Sequence, residues 1–169
     1  RTLFPYTTLF RSRHTMIAWM SNWEYANIVP TMQFRSANTI ARDPFLYKVG
    51  DRIYLGSRPA PEYSGAGLDK TVKINGSCTV TLSNDKGEEF VIIYDQKAMT
   101  LSCDRSKSGL TDFSQHFDRV AVAPVYRKIT SLRIFIDNSS VEVFANDGEV
   151  CLTSLVFPDS PFNSLTISK

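Results

Sequence analysis

Acid–base or nucleophilic chemistry needs two titratable groups within reach of one another, so the carboxylates, thiols and imidazoles of this 169-residue chain come first. Glu142, in "FIDNSSVEVFANDGE", stands among alternating aliphatic residues. A lone carboxylate on a regular strand lacks the partner that proton transfer requires. Glu142 therefore reads as a structural acid, with Arg133 on the preceding strand as its diagonal ion-pair partner. Cys78, Cys103 and Cys151 are widely spaced and match no metal-ligand pattern. An odd number of thiols leaves at least one unpaired within the chain, and buried free thiols are the preferred reading over one disulfide plus a spare. His14 and His116 stand alone and read as surface or hydrogen-bonded structural residues. The residues by themselves thus nominate no catalytic group and no metal site.

The elements that would position any such group are strands. From Thr71 onward, short apolar-polar alternation is broken by turn residues at close intervals, as in a β-sandwich or barrel. "NDKG" reads as a hairpin turn, "KAMTLSCD" and "RVAVAPV" as strands, and "RSKSGLTDFSQHF" as the polar loop between them. Leu132, Ile134 and Ile136 share one face of a strand, and Val141, Val143 and Ala145 one face of the next. Between these two strands and the one that follows, "NDGE" supplies residues that accept the positive φ of a tight turn.

Upstream the texture changes. "RPAPEYSGAG" concentrates Pro, Gly and Ser and is the best linker candidate, assigned to residues 61–69, with a sandwich over 70–169. Residues 13–60 read as short strands and loops with "KVGDR" as a hairpin turn; alone they would leave edges unpaired and apolar faces wet, which calls for a partner. At the N-terminus, residues 1–12 are too interrupted by Pro5, Thr7, Thr8 and Arg11 to be a secretory signal, and far too short to span a membrane. Residues 2–12 instead resemble the in-frame translation of a sequencing-library adapter, so 1–12 is read as an artefact and the rest as a C-terminal piece of something longer. A formal charge of +2, with basic and acidic residues interspersed, argues against nucleic acid as a partner.

Three stretches carry a resemblance. "WMSNWEYANIVPT" at residues 19–31, "LSCDRSKSG" and "FIDNSSVEVFANDGE" are similar to motifs of glycoside hydrolase family 32, the levanases, inulinases, invertases and related β-fructosidases. The resemblance implies an all-β chain: the last strands of a truncated five-bladed β-propeller over residues 13–60, then a C-terminal β-sandwich of two antiparallel sheets packed against it through an intramolecular interface. It also implies a retaining mechanism on β-fructosyl linkages of sucrose, inulin or levan, with two carboxylates about 5–5.5 Å apart and neither metal nor organic cofactor. The family's nucleophile stands in an Asn-Asp-Pro motif and its acid in a Glu-Cys motif. Neither occurs here, so no catalytic residue is assigned and the chain alone is expected to be inactive.

"ARDPF" spells the family's transition-state-stabilising motif, but it follows the tryptophan motif instead of preceding it, so Asp43 reads as a strand-end or loop carboxylate beside Arg42. By resemblance, Trp23, then Trp19 and Asn22, are the substrate-binding candidates, a flat indole covering the C–H face of a sugar. Glu24 lacks the cysteine that would make it the acid. Family habit implies an extracytoplasmic protein with no nucleic-acid or membrane partner. The alternative is a sandwich that binds carbohydrate without catalysis, using aromatics such as Tyr94, Phe113, Phe117 and Tyr126.

Overall fold

The computed structural model describes residues 13–63 and 67–169. The adapter-like stretch and the middle of the Pro/Gly-rich connector lie outside them. Among the described residues the chain is all-β, with eleven strands and one short 3-10 turn, Ala26–Ile28. Two antiparallel sheets face one another. One has four strands in the order β10 (Val150–Leu155), β9 (Ser140–Ala145), β8 (Ser131–Ile136), β3 (Leu68–Lys73). The other has five: β11 (Ser164–Ser168), β4 (Cys78–Ser83), β5 (Glu89–Asp95), β6 (Thr100–Lys107), β7 (Val120–Pro124). A separate hairpin precedes both, formed by β1 (Arg42–Val49) and β2 (Arg52–Pro59) in register from Arg42↔Pro59 to Val49↔Arg52.

Alternation explains the core. Val80 and Leu82 of β4, Phe90, Ile92 and Tyr94 of β5, and Leu101 of β6 point inward from one sheet. Leu132, Ile134 and Ile136 of β8 and Val141, Val143 and Ala145 of β9 point inward from the other, as their spacing predicts. Each of the valines, leucines and isoleucines, and Phe90, contributes about 1.5–3 kcal/mol by leaving water. The buried phenol of Tyr94 accepts the Ile129 amide at 3.2 Å, which keeps this aromatic satisfied between the sheets. Turns fall where the residue types demand. Asn84 closes "NDKG" by accepting the Lys86 and Glu88 amides through its side chain, and Asn146, Asp147 and Gly148 all have positive φ in "NDGE".

Three readings need correction. Leu68 and Asp69, placed in the linker by composition, are strand residues paired with Ile136 and Phe135. "RSKSGLTDFSQHF" is neither wholly loop nor simply polar. β6 runs on to Lys107, and Phe117 in the loop is buried. The Glu142–Arg133 pair does not form. Arg133 reaches sideways to Asp69 on β3, with Nη2 2.7 Å from its carboxylate, while Glu142 turns to Arg42. The reason is the cover on the outer face of the four-stranded sheet. Residues 38–60 lie over β9 and β10, so β9 is buried on both faces and Glu142 is only 2% exposed.

All three cysteines are free. Cys78 and Cys103 are buried and Cys151 half-buried, its thiol donating to the Ser57 carbonyl at 3.1 Å. Desolvation pushes the Cys103 thiol up to about 12 and raises the other two as well.

Candidate functional site

The three motifs that stood out in the sequence converge on one seam, where residues 13–60 dock on the sandwich. Its first clamp is ionic. Arg42, at the start of β1, pairs with the Glu142 carboxylate and donates to the Thr153 hydroxyl at 2.6 Å, and its guanidinium lies 4.8 Å from the centre of the Phe144 ring. Glu142 also accepts the Ile40 amide at 2.9 Å. Both side chains are almost fully withdrawn from water, so each charge is tolerable only because the other is present.

The second clamp is aromatic. Asn22 accepts the Glu24 amide through its side chain and the Ala26 amide through its backbone carbonyl, starting the 3-10 turn that delivers Tyr25 to the sandwich. There Tyr25 meets Phe117 edge-on at 5.3 Å and Phe113 at 6.1 Å, and Phe157 completes the cluster. Arg105 of "LSCDRSKSG" lies over the Phe117 ring at 3.5 Å and donates to the carbonyls of Asp118 and Leu155. Burial lowers its pKa, and proximity to Tyr25 works the other way. Gly109 of the same motif must be glycine: at φ +97° a Cβ would sit 2.0 Å from the Phe157 carbonyl oxygen.

The third contact is backbone to backbone. Ser57 of β2 donates to the Gly148 carbonyl at 2.8 Å, and a Cβ on Gly148 would meet the Ser57 carbonyl oxygen at 2.1 Å. Tyr47 donates its hydroxyl to the Glu149 carbonyl at 3.0 Å.

On the opposite side of the segment stand the sequence-nominated residues. Trp19 bridges to Asn38 and is half-buried; Trp23 packs against it, ring centres 5.0 Å apart, and is 87% exposed. The Trp19 indole nitrogen and the Ser21 hydroxyl are buried without a partner among the described residues. Ile17, Ile28, Met32 and Phe34 of the same segment are exposed too, Met32 and Phe34 in a recess shared with Leu110 and Phe157 of the sandwich. Asn22 is exposed beside the tryptophans, but its side-chain oxygen is committed to the turn.

The carboxylates nearby are all engaged. Asp43, of the "ARDPF" coincidence, accepts from Arg13 at 2.9 Å and from Thr15 at 2.8 Å. Glu62 takes the other arm of Arg13, whose hydrogen bonds hold its pKa down to about 2. Glu24 lies 3.4 Å from His116. None stands opposite a second free acid in the geometry that glycoside cleavage needs. Among the described residues no group of three or more His, Cys, Asp or Glu could hold a metal.

Sequence reasoning missed the Arg42–Glu142 clamp and the docking role of Tyr25. The available signal was Phe135 and Phe144, large aromatics on the nominally outward phase of β8 and β9, which require a covering layer.

A family model for the glycosyl hydrolases family 32 C-terminal domain matches residues 59–169. Levanase from Bacillus subtilis (strain 168) is 31% identical over 92% of this chain and 28% of its own length. Extracellular exo-inulinase from Aspergillus awamori is 29% identical over 92% of this chain and 36% of its own. The chain thus spans about a third of the length of such relatives. The crystal structure of exo-inulinase from Aspergillus awamori superposes with a TM-score of 0.72 at 28% identity, covering 92% of this chain and 37% of that one. That of β-fructofuranosidase from Schwanniomyces occidentalis, 20% identical over 90% of this chain and 41% of that one, shares the fold with a TM-score of 0.70. With its two facing sheets, its seam motifs and the family match over most of its length, the chain belongs to glycosyl hydrolase family 32 as a C-terminal β-sandwich domain with the segment that docks on it.

Proposed function

We propose that this chain is the C-terminal part of a retaining glycoside hydrolase that cleaves β-fructosyl linkages, and that its sandwich buttresses a catalytic propeller contributed by residues upstream of it. One observation carries the reading. The segment before the sandwich is clamped by Arg42–Glu142 and Tyr25–Phe117, while Trp23 stands open to solvent against Trp19, and the Trp19 indole nitrogen and the Ser21 hydroxyl are buried without partners among the described residues. A buried indole N–H and hydroxyl without acceptors cost about 1–3 kcal/mol each, a penalty relieved when a neighbouring blade supplies partners.

In this reading residues 13–60 end the propeller, a connector follows, and the supporting sandwich begins with β3 at Leu68 and runs to residue 169. The catalytic nucleophile and acid, about 5–5.5 Å apart, belong to upstream blades. Trp23 offers its exposed ring to the C–H face of a fructosyl unit, with Trp19 behind it fixing its tilt and Asn22 shaping the turn between them. The substrate in this reading is sucrose or a fructan, the fructan supported by the names levanase and exo-inulinase of the relatives, and the location is extracytoplasmic, supported by "extracellular" in the name of one of them.

The coding sequence joined to the codon for Arg13 tests this. It should encode Asn-Asp-Pro and Glu-Cys motifs within blade-forming repeats. An open reading frame starting near His14 would overturn the reading.

A further inference from the structure

We infer that the molecule carries a second, non-catalytic carbohydrate subsite where the β1–β2 hairpin meets the β7–β8 connection, built on a tyrosine ladder whose outer ring, Tyr126, is open to solvent. The inference rests on the β-fructosidase reading only for the identity of the sugar. Tyr47 and Tyr54 are direct partners across β1 and β2, their rings stacked at 5.5 Å, and Tyr126 from the β7–β8 connection stacks on Tyr54 at 3.9 Å and 23°. Tyr126 remains 42% exposed, so this pre-stacked array ends in a ring open to solvent. A tyrosine held in this way gives a large contact surface with little rotamer entropy left to lose.

The polar groups beside it are fixed too. Arg127, next in sequence to Tyr126, pairs with Glu149, Nε to Oε2 at 2.8 Å. Asn146 donates to Glu149 at 3.2 Å and to the Lys128 carbonyl at 2.9 Å. Arg127, Lys128, Asn146, Asp147 and Glu149 line an open recess of about 420 Å³, within the usual range for small-molecule sites.

The electrostatics select the class of ligand. Arg127 pairs with Glu149 and Arg58 lies 3.6 Å from Asp147, and the lining as a whole sets Arg127 and Lys128 against Asp147 and Glu149, so the formal charge of the recess is balanced and does not select an anion. An apolar peptide would desolvate the Arg127–Glu149 pair without replacing its water hydrogen bonds. A neutral polyol suits both halves: C–H groups lie on the exposed ring while vicinal hydroxyls, each donor and acceptor, meet a fixed guanidinium and carboxylate. The ligand assigned here is a β-fructan chain held on the surface away from the tryptophan face.

Affinity electrophoresis of the full chain in native gels containing levan, inulin or dextran tests the assignment. Levan or inulin should retard the chain and dextran should not. Tyr126→Ala should weaken retardation about tenfold and Glu149→Gln should weaken it measurably, Tyr126→Phe should leave it intact, and the Tyr126→Ala loss should persist in a Trp23→Ala background. Thermal melts followed by circular dichroism confirm that each variant folds, and Tyr126→Phe separates loss of the ring from loss of the fold. No retardation by any glycan, or equal retardation of Tyr126→Ala, overturns the subsite. Loss in Trp23→Ala with Tyr126→Ala unaffected assigns binding to the tryptophan face and also overturns it. Retardation by dextran alone, sensitive to Tyr126, would keep the platform and sink the fructan reading.

Discussion

Replacing Glu142 with Gln is the sharpest perturbation of the seam. The amide keeps the volume of the acid and can still accept the Ile40 amide hydrogen, but it leaves the Arg42 guanidinium buried without a counter-charge. Breaking a buried ion pair in this way costs about 3–5 kcal/mol. Arg42 keeps its bond to Thr153 at 2.6 Å and its position 4.8 Å from the Phe144 ring, contacts already present in the parent, so they soften the loss only through relaxation. The expected destabilisation is about 3 kcal/mol, a large part of the roughly 5–15 kcal/mol that holds a domain together. The assay is urea unfolding read by two probes. Both tryptophans of the chain, Trp19 and Trp23, lie in the docked segment, so their fluorescence reports docking, while far-ultraviolet circular dichroism reports the sandwich sheets. In Glu142→Gln the tryptophan transition should move to lower urea. The double variant Arg42→Met with Glu142→Leu should recover most of the loss, since replacing both charges removes the desolvation cost along with the attraction. A loss below about 1 kcal/mol in Glu142→Gln, or a double variant as unstable as the single, would refute the clamp.

Other consequences can be checked in parallel. Gly148→Ala should destabilise by about 1–3 kcal/mol and shift the tryptophan transition, because the left-handed backbone and the Ser57 carbonyl both exclude a side chain; an unchanged urea midpoint would count against the backbone contact. Cys78 and Cys103 should resist a thiol reagent in the native state and react only on unfolding, with three thiols then titrating; rapid native reaction at either would contradict their burial. With the Cys103 thiol raised from 9.0 to about 12, the unfolded chain releases this proton first. Its contribution is thus complete below pH 9 and is lost as pH climbs toward 12, so urea midpoints should fall over that window. The exposed Trp23, Met32 and Ile17, and Leu46, Ile53 and Leu55 of the hairpin, should drive self-association; light scattering showing only monomer at high concentration would oppose this.

Much of the architecture was visible as period-two alternation. Val80 and Leu82, Leu132 to Ile136 and Val141 to Ala145 declare their inward phase locally, and the turns declare themselves through Asn, Asp and Gly. What stayed hidden depends on residues distant in sequence. Arg42 and Glu142 are 100 positions apart, and local spacing offered Arg133 as the partner because it could not show that Asp69 would claim Arg133 from the neighbouring strand. Phe117 looked like one aromatic in a polar loop until Tyr25 and Arg105 arrived on either side. The seam was legible only in part, through three motifs whose separate meanings become one when the segment folds back on the sheet.

If this chain supplies a tryptophan face and its support but not the carboxylate pair that cleaves the sugar, it should bind without turning substrate over. The measurement that tests it most directly is fructose release by the purified chain from sucrose, inulin and levan over long incubations. No release above a protein-free control is expected, and sustained turnover would show that the chain carries a complete cleavage site.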